Sequence, residues 1–243
     1  MQSGRLIAAW VAAVACFILA ISLGNWQMRR GDAKLALQAQ AEAAERAAPG
    51  EITPLLSSIE EIAAALPRRV RASGVFDNAG TIYLDNRALN GMAGVYVLTP
   101  LVIGQQLPAL LIDRGWKPRD PQDRSRVSVP APPPGVVAVE GLAVARPSLL
   151  LELGRDAELR VPGLWQNLDY EAYERVTGRR VARFVVRQST DARIQTPDGL
   201  QRAWPRPGSG VEKHRGYAFQ WYSLAALIAV LAVALGIKRK RNR

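Results

Sequence analysis

His214 is the residue with the widest chemical scope in this sequence, because it is the only histidine among 243 residues. Arg215 follows it directly, and Tyr217 and Trp221 come within the next two helical turns. An imidazole can ligate haem iron, aromatic rings can cover a macrocycle, and guanidinium groups can pair with its carboxylates. The same residue types are equally typical of a membrane interface, where aromatic rings and long cations flank a spanning helix. The residues alone leave both interpretations open.

The rest of the chain lacks the residue types that several other chemistries require. A single histidine excludes a multi-histidine metal centre and a Ser/His/Asp site in the central region. Cys16 is the only cysteine and lies in an apolar run, so the sequence offers no disulfide and no thiolate metal site in that region. There is no glycine-rich phosphate loop, and three scattered methionines do not make a copper carrier.

Four carboxylates stand on predicted strands or at their ends, where two of them could form the acid–base pair of a glycosidase-like enzyme: Asp85, Asp113, Glu140 and Asp169. Acidic residues at such positions more commonly serve turns and strand edges. We therefore predict no catalytic residues and no enzymatic activity.

Two stretches, residues 6–24 and 216–237, contain no charged residue. At about 1.5 Å per residue, each is long enough to cross a hydrocarbon core of roughly 30 Å. We predict a transmembrane helix in each. A cleaved signal sequence is the alternative for the first stretch, but the apolar run continues for seven residues beyond Cys16, which favours an uncleaved anchor.

The basic tail, residues 238–243, predicts the orientation of the chain. Five of its six residues are Lys or Arg, and cations beside a span favour the cytoplasmic side. Residues 1–5 are then cytoplasmic too, and the central region is periplasmic. Arg29 and Arg30 oppose this orientation, but the tail is more densely charged.

An apolar run that starts at residue 6 leaves no room for a mitochondrial transit peptide, so we predict the inner membrane of a bacterium. The formal net charge of +11 would also suit a nucleic-acid-binding protein. Nearly half of that charge lies in the tail, and the remainder forms no basic run. We therefore predict a lipid bilayer, and no nucleic acid, as a partner.

The region between the spans is predicted to be an α+β domain with a mostly antiparallel, barrel-like sheet. An alanine-rich juxtamembrane helix occupies 25–48, with a break at Gly31-Asp32, and the β-rich domain occupies 49–195. Residues 196–215 form a Pro/Gly-rich linker. Within the domain we predict helices at 57–66, capped by Ser58, and at 170–177, an irregular loop at 118–135, and strands at 70–76, 81–88, 95–103, 107–116, 136–145, 164–168 and 181–188.

The predicted topology brings residues that are distant in sequence to one membrane depth. The end of the first span and the start of the second share a leaflet, which places Trp26, Gln27, Arg29 and Arg30 at the same membrane depth as His214. His214 and Trp221 fall on one helical face. Small residues on both spans are predicted to let the two helices pack closely: Ala9, Ala12, Cys16, Ala20, Ala225, Ala229, Ala232 and Gly236.

Five motifs, taken in order, resemble one known family, the Surfeit locus protein family of cytochrome c oxidase assembly factors. They are LGNWQMRRGDAK at 23–34, GVFD at 74–77, DNR at 85–87 with TPL at 99–101, DRGWKP at 113–118, and His214 with Tyr217-Ala218, Trp221 and Leu224-Ala225. The chain departs from the family pattern at Glu212-Lys213, where two asparagines are frequent, and at Tyr222, where phenylalanine is frequent.

The resemblance implies a non-enzymatic factor that assists delivery or insertion of haem a into oxidase subunit I, with haem a synthase as a further candidate partner. It implies that His214 ligates the haem iron. It also implies that the haem is lined by Trp26, Arg29, Arg30, Tyr217 and Trp221. It implies a turn at Gly115-Trp116, whose role is packing at a strand end or contact with a partner. Two other classes stay open: an envelope scaffold that docks a membrane partner without a cofactor, and a membrane-anchored hydrolase.

Overall fold

The structure is a computed structural model that describes residues 2–120, 122–123, 127–147, 149–150, 161–189, 198–204 and 210–241. The chain divides into two units, one formed by Met1–Ala39 and Arg206–Arg243 and the other by Gln40–Pro205. The first unit contains two apolar helices, and the second is a mixed α+β domain.

Besides a short 3-10 turn at Asn78–Gly80, the described part of the chain forms twelve helices and strands: α1 (Gln2–Arg46), β1 (Gly50–Ile52), α2 (Leu56–Ala64), β2 (Arg68–Phe76), β3 (Ile82–Leu89), β4 (Met92–Val102), β5 (Ala109–Pro118), β6 (Val136–Val144), β7 (Gly163–Trp165), α3 (Tyr170–Thr177), β8 (Val181–Gln188) and α4 (Val211–Arg241). The seven predicted strands and the helix at 170–177 are confirmed. The short strand β1 was not predicted.

α1 and α4 contain the segments Ile7–Arg46 and Val211–Arg239, which are long and apolar enough to cross a membrane. The predicted break at Gly31-Asp32 is wrong, because α1 continues through it. Gly31 is buried against α4, and the packing of this position on α4 is compatible with a continuous helix. Residues 211–215 of the predicted linker form the first turn of α4.

α1 and α4 pack closely along only part of their length. Ala20, Ala218 and Ala225 are buried, as are Gly24 and Gly31, so the predicted packing through small residues is confirmed in this part. In the remaining part the prediction is wrong: the helices enclose a cleft of about 750 Å³, and several of the small residues are exposed, namely Ala9, Ala12, Cys16 and Gly236.

The eight strands form one sheet in the order β1-β2-β6-β8-β5-β4-β3-β7. A further pairing of β2 with β4, through Val75 and Phe76, closes five of these strands into a ring. The prediction of a mostly antiparallel sheet is imprecise, because three pairs are parallel: β1–β2, β3–β7 and β5–β8. Two of these pairs involve three-residue strands, whose sequences are too short to predict a direction.

The short helix α2 lacks the predicted side-chain cap. Its N-cap is Leu55, which forms no side-chain cap hydrogen bond, so the prediction that Ser58 caps this helix is wrong. The Ser58 hydroxyl instead accepts from the Thr53 backbone N–H at 3.1 Å and donates to the Glu51 carbonyl at 3.3 Å. Ser58 therefore ties α2 to the segment that carries β1.

Two apolar clusters form the core of the domain. One surrounds Trp116, Trp165 and Tyr173, and the other surrounds Phe184 and Leu110. The Tyr173 hydroxyl donates to the Gly80 carbonyl at 2.6 Å, so this buried polar group of the first cluster has a partner. Both clusters include residues of β5, which carries the DRGW motif.

Candidate functional site

His214 contacts α1 through a side-chain hydrogen bond. Its Nδ1 lies 2.7 Å from Oε1 of Gln27, a residue 187 positions earlier in the chain. With the Gln27 carboxamide oxygen as the acceptor, Nδ1 donates the proton of this hydrogen bond, which in the neutral imidazole leaves the lone pair on Nε2. The ring is half-buried, and among the described residues Gln27 is its only hydrogen-bond partner. The imidazole is therefore held in the tautomer that presents Nε2 to a ligand.

Gly24 lets α4 come close to α1 beside this contact, and Gly31 lies on the same face of α1 with room for a Cβ. A Cβ on Gly31 would lie 3.7 Å from Cβ of His214, and a Cβ on Gly24 would lie 2.5 Å from the Tyr222 ring. The Tyr222 hydroxyl also donates to Oδ1 of Asn25 at 2.8 Å. Because these glycines flank Gln27 at three and four residues, all three share one helical face, and that spacing is the signal that could have identified Gln27 from the sequence.

Among the described residues, no hydrogen bond or ring contact joins the other predicted site residues to His214. Trp26 is 46% exposed and Tyr217 is 52% exposed, and the guanidinium carbon of Arg30 lies 5.9 Å from the Trp26 ring centroid. Arg29 is exposed and Trp221 is half-buried. The surface beside His214 thus presents aromatic rings and cations, while the imidazole is the one side chain among them that a hydrogen bond joins to the opposite helix.

These residues match what a haem requires of a protein. Haem binding takes an imidazole nitrogen with a free lone pair, apolar or aromatic surface for the macrocycle, and cations for two propionates. His214 presents Nε2 as that nitrogen, Trp26 and Tyr217 present exposed rings, and Arg29 and Arg30 present exposed guanidinium groups. The interfacial-belt interpretation accounts for the aromatic residues and the cations, but not for the hydrogen bond that orients the imidazole.

The motif residues of the domain form a packing centre. Trp116 is buried, and its indole N–H donates to the Arg87 carbonyl at 2.7 Å, which joins the DRGW and DNR motifs. The predicted turn at Gly115-Trp116 is wrong, because both residues lie within β5, where the register to β4 shifts. Gly115 has φ +143°, and a Cβ there would lie 2.8 Å from Leu200. The glycine of the motif is therefore explained by a bulge in the strand.

Asp113 is fully buried in the same centre, and burial raises the pKa of its carboxyl to about 8. The charge of Arg187, the backbone N–H of Gly115 and the charges of Arg87 and Arg202 act in the opposite direction. Burial exceeds their combined effect. The group is enclosed by protein on all sides, so it does not face a substrate-sized cleft.

The other three carboxylates proposed for a hydrolase have structural partners. Asp85 forms an ion pair with Arg119, and Asp169 accepts from the backbone N–H groups of Glu171 and Ala172 in the first turn of α3. Glu140 is held between Arg69 and Arg71, and the hydrogen bond from Arg71 at 2.8 Å is the main cause of its lowered pKa. Among the described residues, no group of three or more metal-binding side chains occurs.

Comparison with known proteins places the chain in a family. The model of the SURF1 family matches residues 14–226. Surfeit locus protein 1 of Homo sapiens is 26% identical over an alignment that covers 88% of this chain and 73% of the human protein. The Xenopus tropicalis protein of the same name is 25% identical, and the alignment covers 88% of this chain and 71% of the Xenopus protein.

A Surfeit locus protein 1 of Arabidopsis thaliana is 28% identical over 122 residues, which cover 46% of this chain and 34% of the plant protein. The family match extends across most of α1, the whole domain and the first half of α4, and so contains both members of the His214–Gln27 pair. The chain belongs to the SURF1 family.

Proposed function

We propose that this chain is a two-pass protein of the bacterial inner membrane, with both termini cytoplasmic and the domain periplasmic. It assists the delivery or insertion of haem a into subunit I of a cytochrome c oxidase. The observation that carries the proposal is the hydrogen bond between His214 and Gln27, which holds a half-buried imidazole with Nε2 directed away from its partner. Membership of the SURF1 family is consistent with the motif resemblance that first suggested this role.

The residues of α1 and α4 act by binding and orienting the haem a that is to be delivered. Gln27 fixes the tautomer of His214, and Nε2 of His214 ligates the iron. Arg29 and Arg30 pair with the propionates, and Trp26 shields one edge of the ring. Haem a, once transferred, supplies the oxidase with a centre for electron transfer and dioxygen chemistry.

Tyr217 and Trp221 complete the proposed lining on α4. Both lie on the helix that carries His214, three and seven residues further along, and Tyr217 is exposed while Trp221 is half-buried. The domain docks on the partner, subunit I or haem a synthase, and the chain performs no covalent chemistry. The buried or paired state of Asp85, Asp113, Glu140 and Asp169 supports a non-enzymatic role.

The test measures haem a in membranes of a strain that lacks this protein. Reduced-minus-oxidised spectra should show loss of the haem a signal, restored by the wild-type chain but not by His214→Ala. Tyr222→Phe is the matched control, because it removes another hydrogen bond between α1 and α4 and leaves the imidazole in place. Restoration by His214→Ala to the wild-type level would overturn the ligand assignment.

The alternative is an envelope scaffold that docks a membrane partner without a cofactor. One observation favours it: Val75 and Val136, opposite each other on β2 and β6, are 43% and 76% exposed, which leaves an apolar pair on the surface of the sheet. A scaffold would lose function on Val136→Asp and retain it on His214→Ala. The haem a proposal expects the isolated Val136→Asp protein to retain haem a and the isolated His214→Ala protein to lose it.

A further inference from the structure

The cleft between α1 and α4 lies at the ends of the helices farthest from His214. Its volume is about 750 Å³, and its walls come from residues 9–16 of α1 and 228–239 of α4. His214 is 14 residues from the nearest α4 residue of the wall, which corresponds to about 21 Å along a helix. The cleft is therefore separate from the proposed haem site.

The walls of the cleft are almost entirely apolar. They include Ala12, Ala13 and Ala232, whose small side chains leave the space open, and Leu231 and Leu235, which bound it. Apart from Trp10, Cys16 and the two cations at one end, these walls offer no hydrogen-bonding side chains, and they suit a hydrocarbon chain. A methylene group occupies about the same volume as a water molecule in the liquid, so a chain of about 16 carbons needs roughly 500 Å³.

Two cations stand at one end of this apolar space. Lys238 and Arg239 both line the cleft, and they begin the basic tail that follows the second apolar stretch. In the proposed orientation this end faces the cytoplasm. Basic pockets between membrane helices on that side suit the phosphates of anionic lipids.

The position of these cations also distinguishes a lipid from a third helix of a partner protein. The cytoplasmic ends of membrane helices carry an excess of Lys and Arg. Another helix in the cleft would therefore bring like charge against Lys238 and Arg239, whereas the phosphate of a lipid brings opposite charge. Charge complementarity favours the lipid.

We infer that this cleft is a binding site for an anionic phospholipid, with one acyl chain between α1 and α4 and the phosphate on Lys238 and Arg239. The inference rests on the membrane location given under the proposed function. The lipid fills the space that the small residues leave, and it holds the two helices at a fixed separation at the end where they do not touch.

The test uses the full chain in bilayer discs of phosphatidylcholine with one quarter phosphatidylglycerol, followed by native mass spectrometry of the released protein. We expect wild type to retain phosphatidylglycerol at a ratio several-fold above its share of the bilayer. Lys238→Gln with Arg239→Gln should reduce that enrichment at least fivefold. Ala232→Phe, which fills the cleft, should reduce the total lipid retained.

Two matched controls separate this site from general attraction. Lys240→Gln with Arg241→Gln removes the same charge from the same tail, and Ala226→Phe adds the same ring at an exposed position of α4 outside the cleft. Both should retain phosphatidylglycerol as wild type does. Equal loss in the two tail variants, or equal retention by the two Phe variants, would overturn the inference.

Two further outcomes would also overturn it. Cys16 lines the cleft, and a cross-link from Cys16 to another membrane helix would show that a protein occupies the space. A chain that remains in solution without detergent would overturn the membrane location together with the lipid site. A membrane-bound chain without anionic-lipid enrichment would overturn the lipid site alone.

Discussion

The domain and the helix pair both concentrate arginine, but they surround it differently. In the domain, Arg87 donates to the Gln166 carbonyl at 2.6 Å, and Arg202 pairs with Asp198 at 2.5 Å. Both guanidinium groups lie largely in the protein interior. On α1, Arg29 and Arg30 are exposed, and among the described residues neither forms an ion pair.

The difference separates residues that the fold needs from residues that a ligand can use. A buried cation is stable only if its partners replace the lost water, so the domain arginines are bound to oxygens of their own domain. An exposed cation contributes little to stability and keeps its capacity for an external anion. Substitutions in the domain should therefore change the free energy of unfolding, and substitutions around His214 should change ligand affinity.

The largest effect should come from Trp116→Ala in the domain. The indole is buried and donates to the Arg87 carbonyl, so its loss leaves a cavity and an unpaired carbonyl. We expect the free energy of unfolding to fall by about 3–5 kcal/mol. Far-UV circular dichroism during chemical denaturation measures it.

Trp26→Ala is the matched control, because it removes the same side chain from the exposed surface of α1. It should change the free energy of unfolding by no more than about 0.5 kcal/mol. If Trp26→Ala lowered the free energy of unfolding as much as Trp116→Ala, the surface beside His214 would contribute as much to stability as the core of the domain. The helix pair and the domain would then not differ in their contribution to stability.

Helices and strands could be predicted from the sequence only where local residue patterns determine them. α3 was predicted at its observed bounds because Asp169 caps its first turn and Gly178, with φ +67°, ends it. The strands followed from runs of β-branched residues between turn residues. The break at Gly31-Asp32 was wrong because a local helix-stop signal was overridden by contact with α4, and the turn at Gly115 was wrong because glycine also serves strand bulges.

Asp113→Asn should give the next largest effect, and it should depend on pH. The pKa of Asp113 is raised from 3.8 to about 8, so the native state binds a proton that the unfolded state releases between these values. The contribution of this group to stability is present below about pH 4 and is lost as pH rises through 8. At pH 8 the Asn variant should be more stable than wild type by on the order of 1–3 kcal/mol.

Glu140→Gln should show the opposite pH dependence of the free energy of unfolding. The hydrogen bond from Arg71 lowers the pKa of Glu140 below 4.5, so its stabilisation is present above that pH and is lost as pH falls. Unfolding of Asp113→Asn and wild type, measured from pH 4 to pH 9, and of Glu140→Gln and wild type, measured from pH 2 to pH 6, should give differences in the free energy of unfolding that change with pH in opposite directions. A pH-independent difference for Asp113→Asn would show that this carboxyl is charged throughout.

Gln27→Leu should have a smaller effect, confined to the helix pair. Without the acceptor at 2.7 Å, the His214 ring loses its fixed tautomer, and haem affinity should fall about 10- to 100-fold. Titration of the purified chain with haem measures the affinity, and the low-temperature paramagnetic resonance spectrum reports the axial ligand. The spectrum should retain imidazole ligation, whereas His214→Ala should lose it.

Gln27→Glu is the conservative partner of this variant, because a carboxylate still accepts from Nδ1. It should bind haem far better than Gln27→Leu, and equal weakening would contradict a positioning role. Sequence reasoning placed Gln27 in a motif but did not select it. The glycine spacing around Gln27 marks its helical face, but its partner is 187 residues away, so this local pattern does not show that Gln27 meets His214.

The smallest effect should come from Arg29→Gln and Arg30→Gln. Each exposed cation should contribute about 0.2–1 kcal/mol to haem affinity, and the contribution should shrink as salt rises. Titrations at two salt concentrations should therefore show less salt dependence for each variant than for wild type. Arg46→Gln removes an exposed arginine from the last turn of α1, where it pairs with Glu42, and should bind haem as wild type does. If all three variants showed the same haem affinity and salt dependence, Arg29 and Arg30 would serve only as charges that set membrane topology. That result would overturn the ligand-binding role of these arginines without affecting the role of His214.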